Sequence, residues 1–187
     1  MEKLRCMICG VEINEKNYNF NNKAFNSKNT DENIIYCPFC GAGKEYLSSN
    51  DEKYDLDNIK LSEKEIIILD HAAKLEVFNG DFYKKAVNLS KSDEIKKIFE
   101  ALSKIEYMHA KIHSKLAGLN GLPLLAKIDY SKYNEDDILL LEAKKREVHA
   151  VSYYSKYYNE IDNEIIKKIF IALSSVEKEH IQLIEKN

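Results

Sequence analysis

The feature that most constrains this chain is an internal repeat at an offset of 71 residues. The run Ile95-Lys96-Lys97-Ile98-Phe99-Glu100-Ala101-Leu102-Ser103 returns as Ile166-Lys167-Lys168-Ile169-Phe170-Ile171-Ala172-Leu173-Ser174, with eight of nine positions identical. From Glu76 to His109, 15 of 34 positions match their copies without a gap. Self-similarity of this kind marks one supersecondary unit used twice. Each copy has helical spacing of apolar residues, so the unit is a helical hairpin. Two such hairpins, joined by the long segment Gly118–Asn134 with Gly121 and Pro123, predict an all-α four-helix bundle with one long crossover.

The expected helices run from a capping box at Ser62-x-x-Glu65 to about Leu89, from Asp93 to about Ala117, over roughly 135–159 and over roughly 163–186. Residues three and four apart share a helix face. The second helix therefore places Glu106 and His109 within an apolar stripe of Phe99, Leu102, Ile112 and Leu116. The fourth does the same with Glu177 and His180 among Phe170, Leu173 and Ile184. Glu76 lies between Ala72 and Tyr83 on the first helix, and Glu147 between Ala143 and Tyr154 on the third. Buried carboxylates are costly unless neutralised. Two divalent ions balance four of them. A single Glu-x-x-His is more often a solvated face, but here it occurs twice at matching points of a repeat. One Glu on each of two helices plus Glu-x-x-His on each of the others is the ligand set of di-metal carboxylate bundles. Imidazole and carboxylate suit iron, manganese or zinc. His71, His113 and His149 have no repeat counterpart and are set aside as surface or core residues.

All four cysteines occur as Cys6-Met7-Ile8-Cys9-Gly10 and Cys37-Pro38-Phe39-Cys40-Gly41, with 27 residues between the pairs. Each Cys-x-x-Cys-Gly folds as a tight knuckle, the glycine accepting a backbone conformation that a β-carbon hinders. Cys6, Cys9, Cys37 and Cys40 thus form one four-thiolate site for iron or zinc, with two disulfides as the alternative. The expected organisation is a rubredoxin-sized four-cysteine module over 1–50, a polar linker over 51–61 and the bundle over 62–187.

The 28 basic and 31 acidic side chains are mixed along the chain and leave a net charge of -3. With no basic stripe, nucleic acid is not an expected partner. No apolar run reaches the length of a bilayer span, and Met1-Glu2-Lys3-Leu4-Arg5 lacks a hydrophobic signal core. Cytoplasmic location is the expectation, and a reducing compartment favours metal over disulfides.

The constellation resembles the ferritin-like superfamily, and rubrerythrin in particular, over roughly the last 125 residues. Cys-Pro-Phe-Cys-Gly followed by Gly43-Lys44 looks like rubredoxin, although the chain has no tryptophan and carries Val11 and Ile13 where aromatic residues are usual. With the cysteine module first, the order resembles the reverse rubrerythrins. The resemblance implies two irons in a carboxylate- and histidine-bridged site, one iron (or zinc) in the four-cysteine site, and Tyr83 and Tyr154 hydrogen-bonded to ligating carboxylates. It implies reduction of hydrogen peroxide to water in oxidative-stress defence. Electrons would come from an NAD(P)H-dependent rubredoxin reductase or a ferredoxin-type protein, and the chain would form a homodimer. One departure stands out: rubrerythrins carry an extra glutamate one turn after the third-helix ligand, where this chain has Ala150. Two other readings stay open: a di-iron oxidase acting on dioxygen or ferrous iron, and a non-enzymatic zinc-knuckle interaction protein.

Overall fold

The computed structural model describes residues 3–50, 52, 54, 56 and 59–187. Five of the eleven positions of the expected 51–61 linker, and Met1 and Glu2 of the N-terminal segment, lie outside the described residues. Helix α1 spans Glu63–Leu89, α2 Asp93–Leu116, α3 Asp136–Tyr158 and α4 Glu164–Ile184. These are the four helices expected, each within two residues of its expected ends.

Helix ends follow local chemistry. Ser62 accepts from the Glu65 N–H while the Glu65 carboxylate accepts from the Ser62 N–H, closing the capping box. Ser92 and Asn163, one repeat apart, cap α2 and α4. Helix α2 stops where Gly118 turns left-handed (φ 70°), and the Leu119 N–H donates back to the Ser114 carbonyl.

The repeat also governs how the hairpins lock. Glu65, at the start of α1, accepts from the Asp162 and Asn163 N–H groups in the α3–α4 turn. Asp136, its copy at the start of α3, accepts from the Lys91 and Ser92 N–H groups in the α1–α2 turn. Each hairpin thus satisfies donors at the tip of the other, including those exposed at a helix start. Among the described residues, no helix is long and apolar enough to cross a membrane.

The N-terminal part is a three-stranded antiparallel sheet in the order β2-β1-β3, with β1 Leu4–Cys6, β2 Glu12–Ile13 and β3 Leu47–Ser48. It is a rubredoxin-like module beside a four-helix bundle. Ile13 is fully buried and, with Ile8 and Ile34, supplies the module's apolar core. The module lies on its own bundle. Gly41 comes so close to α4 that a β-carbon there would stand 2.6 Å from Val176 Cγ1. Lys23–Glu94 (2.6 Å) and Lys186–Asn26 (2.8 Å) pin its rim.

Candidate metal centres

The two knuckles have the same local geometry. Gly10 and Gly41 both sit at φ 76°, and their N–H groups donate to the carbonyls of Cys6 and Cys37 at 2.8 Å. Side by side, the knuckles bring the sulfurs to 3.7 Å (Cys6–Cys40) and 3.6 Å (Cys9–Cys37). A tetrahedron with metal–sulfur bonds of about 2.3 Å has sulfur–sulfur edges of roughly 3.8 Å, whereas a disulfide needs about 2.05 Å. All four cysteines are free. Hydrogen bonds from Cys37 and Cys40 lower the Cys6 thiol, while burial raises Cys37 and Cys40. The cluster resists carrying four thiolates without a cation.

In the bundle, all six expected residues are completely buried. Their ligand atoms form two overlapping groups, each within 4.8 Å: Glu76, Glu106, His109 and Glu177, and Glu106, Glu147, Glu177 and His180. Glu106 and Glu177 belong to both. The arrangement could therefore hold two adjacent cations, with Glu76 and His109 at one end and Glu147 and His180 at the other. Both imidazoles turn Nδ1 inward. His109 Nδ1 is 2.9 Å from Glu177 Oε1, and His180 Nδ1 is 3.0 Å from Glu177 Oε2.

Apart from these imidazole–carboxylate contacts, Glu76 Oε2, both oxygens of Glu106 and Glu177, and Glu147 Oε2 have no hydrogen-bond partner among the described residues. Native proteins rarely leave buried polar atoms so. Burial and the facing carboxylates push Glu106 and Glu147 up to about 8 and raise Glu76 well above the carboxylate range. Burial alone would raise Glu177 too, but His109 and His180 outweigh it and hold it low. This cluster of oxygen and imidazole donors fits divalent cations.

Tyr83 and Tyr154 both reach the cluster, each across to the other hairpin. Tyr83 donates to Glu147 Oε1, and Tyr154 donates to Glu76 Oε1. Helical spacing alone places each tyrosine on the face of its own helix's glutamate and does not reveal this exchange.

Around this symmetric centre the surroundings differ. The Cys40 carbonyl accepts from His109 Nε2 at 2.9 Å, which fixes a proton on Nε2 and makes Nδ1 the nitrogen that faces the carboxylates, protonated in the metal-free cluster and free to ligate once that proton leaves. His180 Nε2 has no such partner among the described residues; the Phe25 ring lies 6.1 Å away. His113, set aside on sequence grounds, is fully buried with Nε2 2.8 Å from the Tyr154 hydroxyl. Because that hydroxyl donates to Glu76, His113 Nε2–H donates to it. The repeat counterpart of His113 is Ile184, so periodicity carried no signal for it. His71 and His149 are exposed, as expected. Ala150 is fully buried and brings no polar atom.

The helix seams differ as well. Between α1 and α2, Gly80 lets the Tyr107 ring lie close, and Ser103 Oγ donates to the Gly80 carbonyl. Between α3 and α4, Val151 and Lys178 replace Gly80 and Tyr107. A cleft of about 400 Å³ opens there, lined by Ser155, Ser174, Ser175, Lys178 and Phe170, with the Tyr154 ring among its walls.

No protein-family model, curated protein or solved structure matches the chain. The assignment of the two centres rests on their geometry.

Proposed function

We propose that the protein is a rubrerythrin-like non-haem di-iron peroxidase that reduces hydrogen peroxide to water, with electrons relayed through an iron in the four-cysteine module. The observation that carries this reading is the hydrogen bond between the Cys40 carbonyl and His109 Nε2. It joins a thiolate cluster to a carboxylate–imidazole cluster through one residue on each side. A zinc knuckle serving only protein interaction has no use for such a link.

The division of labour follows from the donors. Cys6, Cys9, Cys37 and Cys40 would hold one iron in a tetrahedral site. Glu106 and Glu177 would be shared by two irons, with Glu76 and His109 completing one and Glu147 and His180 the other. Ferrous ions there would supply Lewis acidity and two electrons to a peroxide. Tyr83 and Tyr154 hold one oxygen of Glu147 and Glu76, orienting the remaining lone pairs. Their hydroxyls are the nearest neutral proton donors to those carboxylates, and burial raises both phenols well above 10. Complete burial keeps bulk water and outside thiols from the centre. An NAD(P)H-dependent rubredoxin reductase or a ferredoxin-type protein would return the electrons. Cytoplasmic location and a homodimer complete the proposal.

A di-iron oxidase is the second reading, favoured by Ala150, which places an apolar methyl where peroxide-reducing relatives would have a carboxylate. Purified protein should contain about three irons per chain, with the visible bands of a thiolate–iron centre. Anaerobically reduced protein, mixed separately with peroxide and dioxygen, decides between the readings. Faster oxidation by dioxygen would replace the peroxidase assignment with the oxidase one.

A further inference from the structure

Asn79 is a buried polar residue that belongs to neither the ligand set nor the caps of the helices. It lies on α1, three residues after Glu76 and four before Tyr83, on the face that carries both. It is completely buried, and among the described residues neither Oδ1 nor Nδ2 has a hydrogen-bond partner. An amide in that state opposes folding, because water's hydrogen bonds are lost and nothing replaces them. Asparagine is also a poor choice for a helix interior, where its side chain competes with the backbone.

The repeat supplies an internal control. The equivalent position on α3 is Ala150, buried in the matching place of the matching hairpin. The packing of this bundle therefore does not demand a polar side chain there. One hairpin carries an unpaired amide at this position and the other a methyl.

We propose that Asn79 is a substrate-binding residue that selects hydrogen peroxide over dioxygen; this rests on the peroxidase reading above. A primary amide offers an acceptor and a donor side by side. Hydrogen peroxide has an O–H on each oxygen and lone pairs on both, so one O–H donates to Oδ1 while the other oxygen accepts from Nδ2. Dioxygen has no hydrogen to donate and leaves Oδ1 unpaired. A site built to hydrogen-bond its substrate discriminates against an analogue that lacks the hydrogen. Asn79 thus supplies, from the first hairpin, a polar contact that Ala150 does not supply from the second.

The test uses the metal-loaded full chain carrying Asn79→Leu, which keeps the branched shape in a somewhat larger side chain and removes both polar atoms. The KM for peroxide is expected to rise roughly tenfold with kcat little changed, while the rate of oxidation by dioxygen stays the same. The metal-free variant should melt at the same temperature as the parent or higher, because an unpaired amide has been removed. Asn79→Ala, which copies the residue already tolerated at 150, gives the same kinetic pattern if leucine does not pack. A lower melting temperature for Asn79→Leu, with peroxide and dioxygen rates falling together, would assign Asn79 to structure. An unchanged peroxide KM would remove it from substrate binding and leave the peroxidase reading standing. A parent protein that prefers dioxygen would overturn both.

Discussion

The two hairpins are copies in every residue of the carboxylate–imidazole cluster and differ in nearly everything around it. Glu76 and Glu147, Glu106 and Glu177, His109 and His180, and Tyr83 and Tyr154 are equivalent pairs. So are Glu65 and Asp136, which tie each hairpin to the tip of the other. Yet among the described residues only His109 donates to a knuckle carbonyl, only Tyr154 has a histidine behind it, and only α1 carries an amide three residues after its glutamate. The α3–α4 seam opens into a cleft with the Tyr154 ring among its walls. Binding two like cations rewards symmetry. Moving electrons and a substrate in one direction requires that the two ends be distinguishable.

The largest test of the symmetric part is to remove its shared members. Glu106→Ala and Glu177→Ala should each empty the bundle of both ions and abolish turnover while the cysteine-site spectrum survives. Glu76→Ala and Glu147→Ala should each cost chiefly the nearer ion. Metal analysis of the four proteins checks the pairing, and intact turnover after loss of Glu177 would mean that the centre is misassigned.

The histidines break the symmetry next. His109→Gln and His180→Gln should both weaken metal binding, by roughly 10- to 100-fold as for other ligand-shell changes. Only His109→Gln should also slow electron transfer from the cysteine site to the bundle, measured by rapid mixing with a reductant. Equal slowing in both would remove the Cys40 contact from the electron path.

A pH series tests the electrostatic load of the cluster. Burial and facing carboxylates hold Glu106 and Glu147 up to about 8. For His109 and His180, burial lowers the imidazole but the neighbouring carboxylates outweigh it and raise both, from an ordinary value of 6.5. Between pH 6.5 and about 8 the metal-free fold therefore holds protons on these groups that the unfolded chain has released. Stability should fall as pH rises through that window. Cys6, lowered by its neighbouring thiols, opposes the trend through one group. His113, held at about 3 by burial, acts only below pH 6.5. Metal loading displaces the protons and should flatten the slope. Thermal midpoints with and without metal check the sign, and a metal-free protein that gains stability over this range would contradict it.

The smallest expected effects are at the locks. Glu65→Ala and Asp136→Ala should each cost about 1–2 kcal/mol in denaturant unfolding of the metal-free protein, since Glu65 accepts from backbone donors at the starts of α1 and α4 and Asp136 from those at the start of α2. A marked inequality would show that the two turns are not equivalent.

Much of the centre was legible because repetition turns a weak motif into a strong one. A lone Glu-x-x-His says little, but two at one offset, with single glutamates in register, leave few alternatives. The same reliance on repetition hid what occurs once. His113 looked like packing because Ile184 is its copy, and Asn79 drew no attention because Ala150 is its copy. The crossed bonds of Tyr83 and Tyr154 were hidden differently: helical spacing tells which residues share a face, not which helix that face meets. The Cys40–His109 contact had no side-chain signature, since a backbone carbonyl is the acceptor.

The sequence by itself determined the 71-residue repeat, the four helices with the capping box of the first, the two cysteine knuckles and the six buried glutamates and histidines. These follow from spacing along one chain and from the cost of burying charge. Only the tertiary structure decided which end of the symmetric site faces the cysteines and which glutamate each tyrosine holds. It also showed where an amide is buried without a partner. Contacts between separate elements depend on how the elements dock, and no local period encodes that.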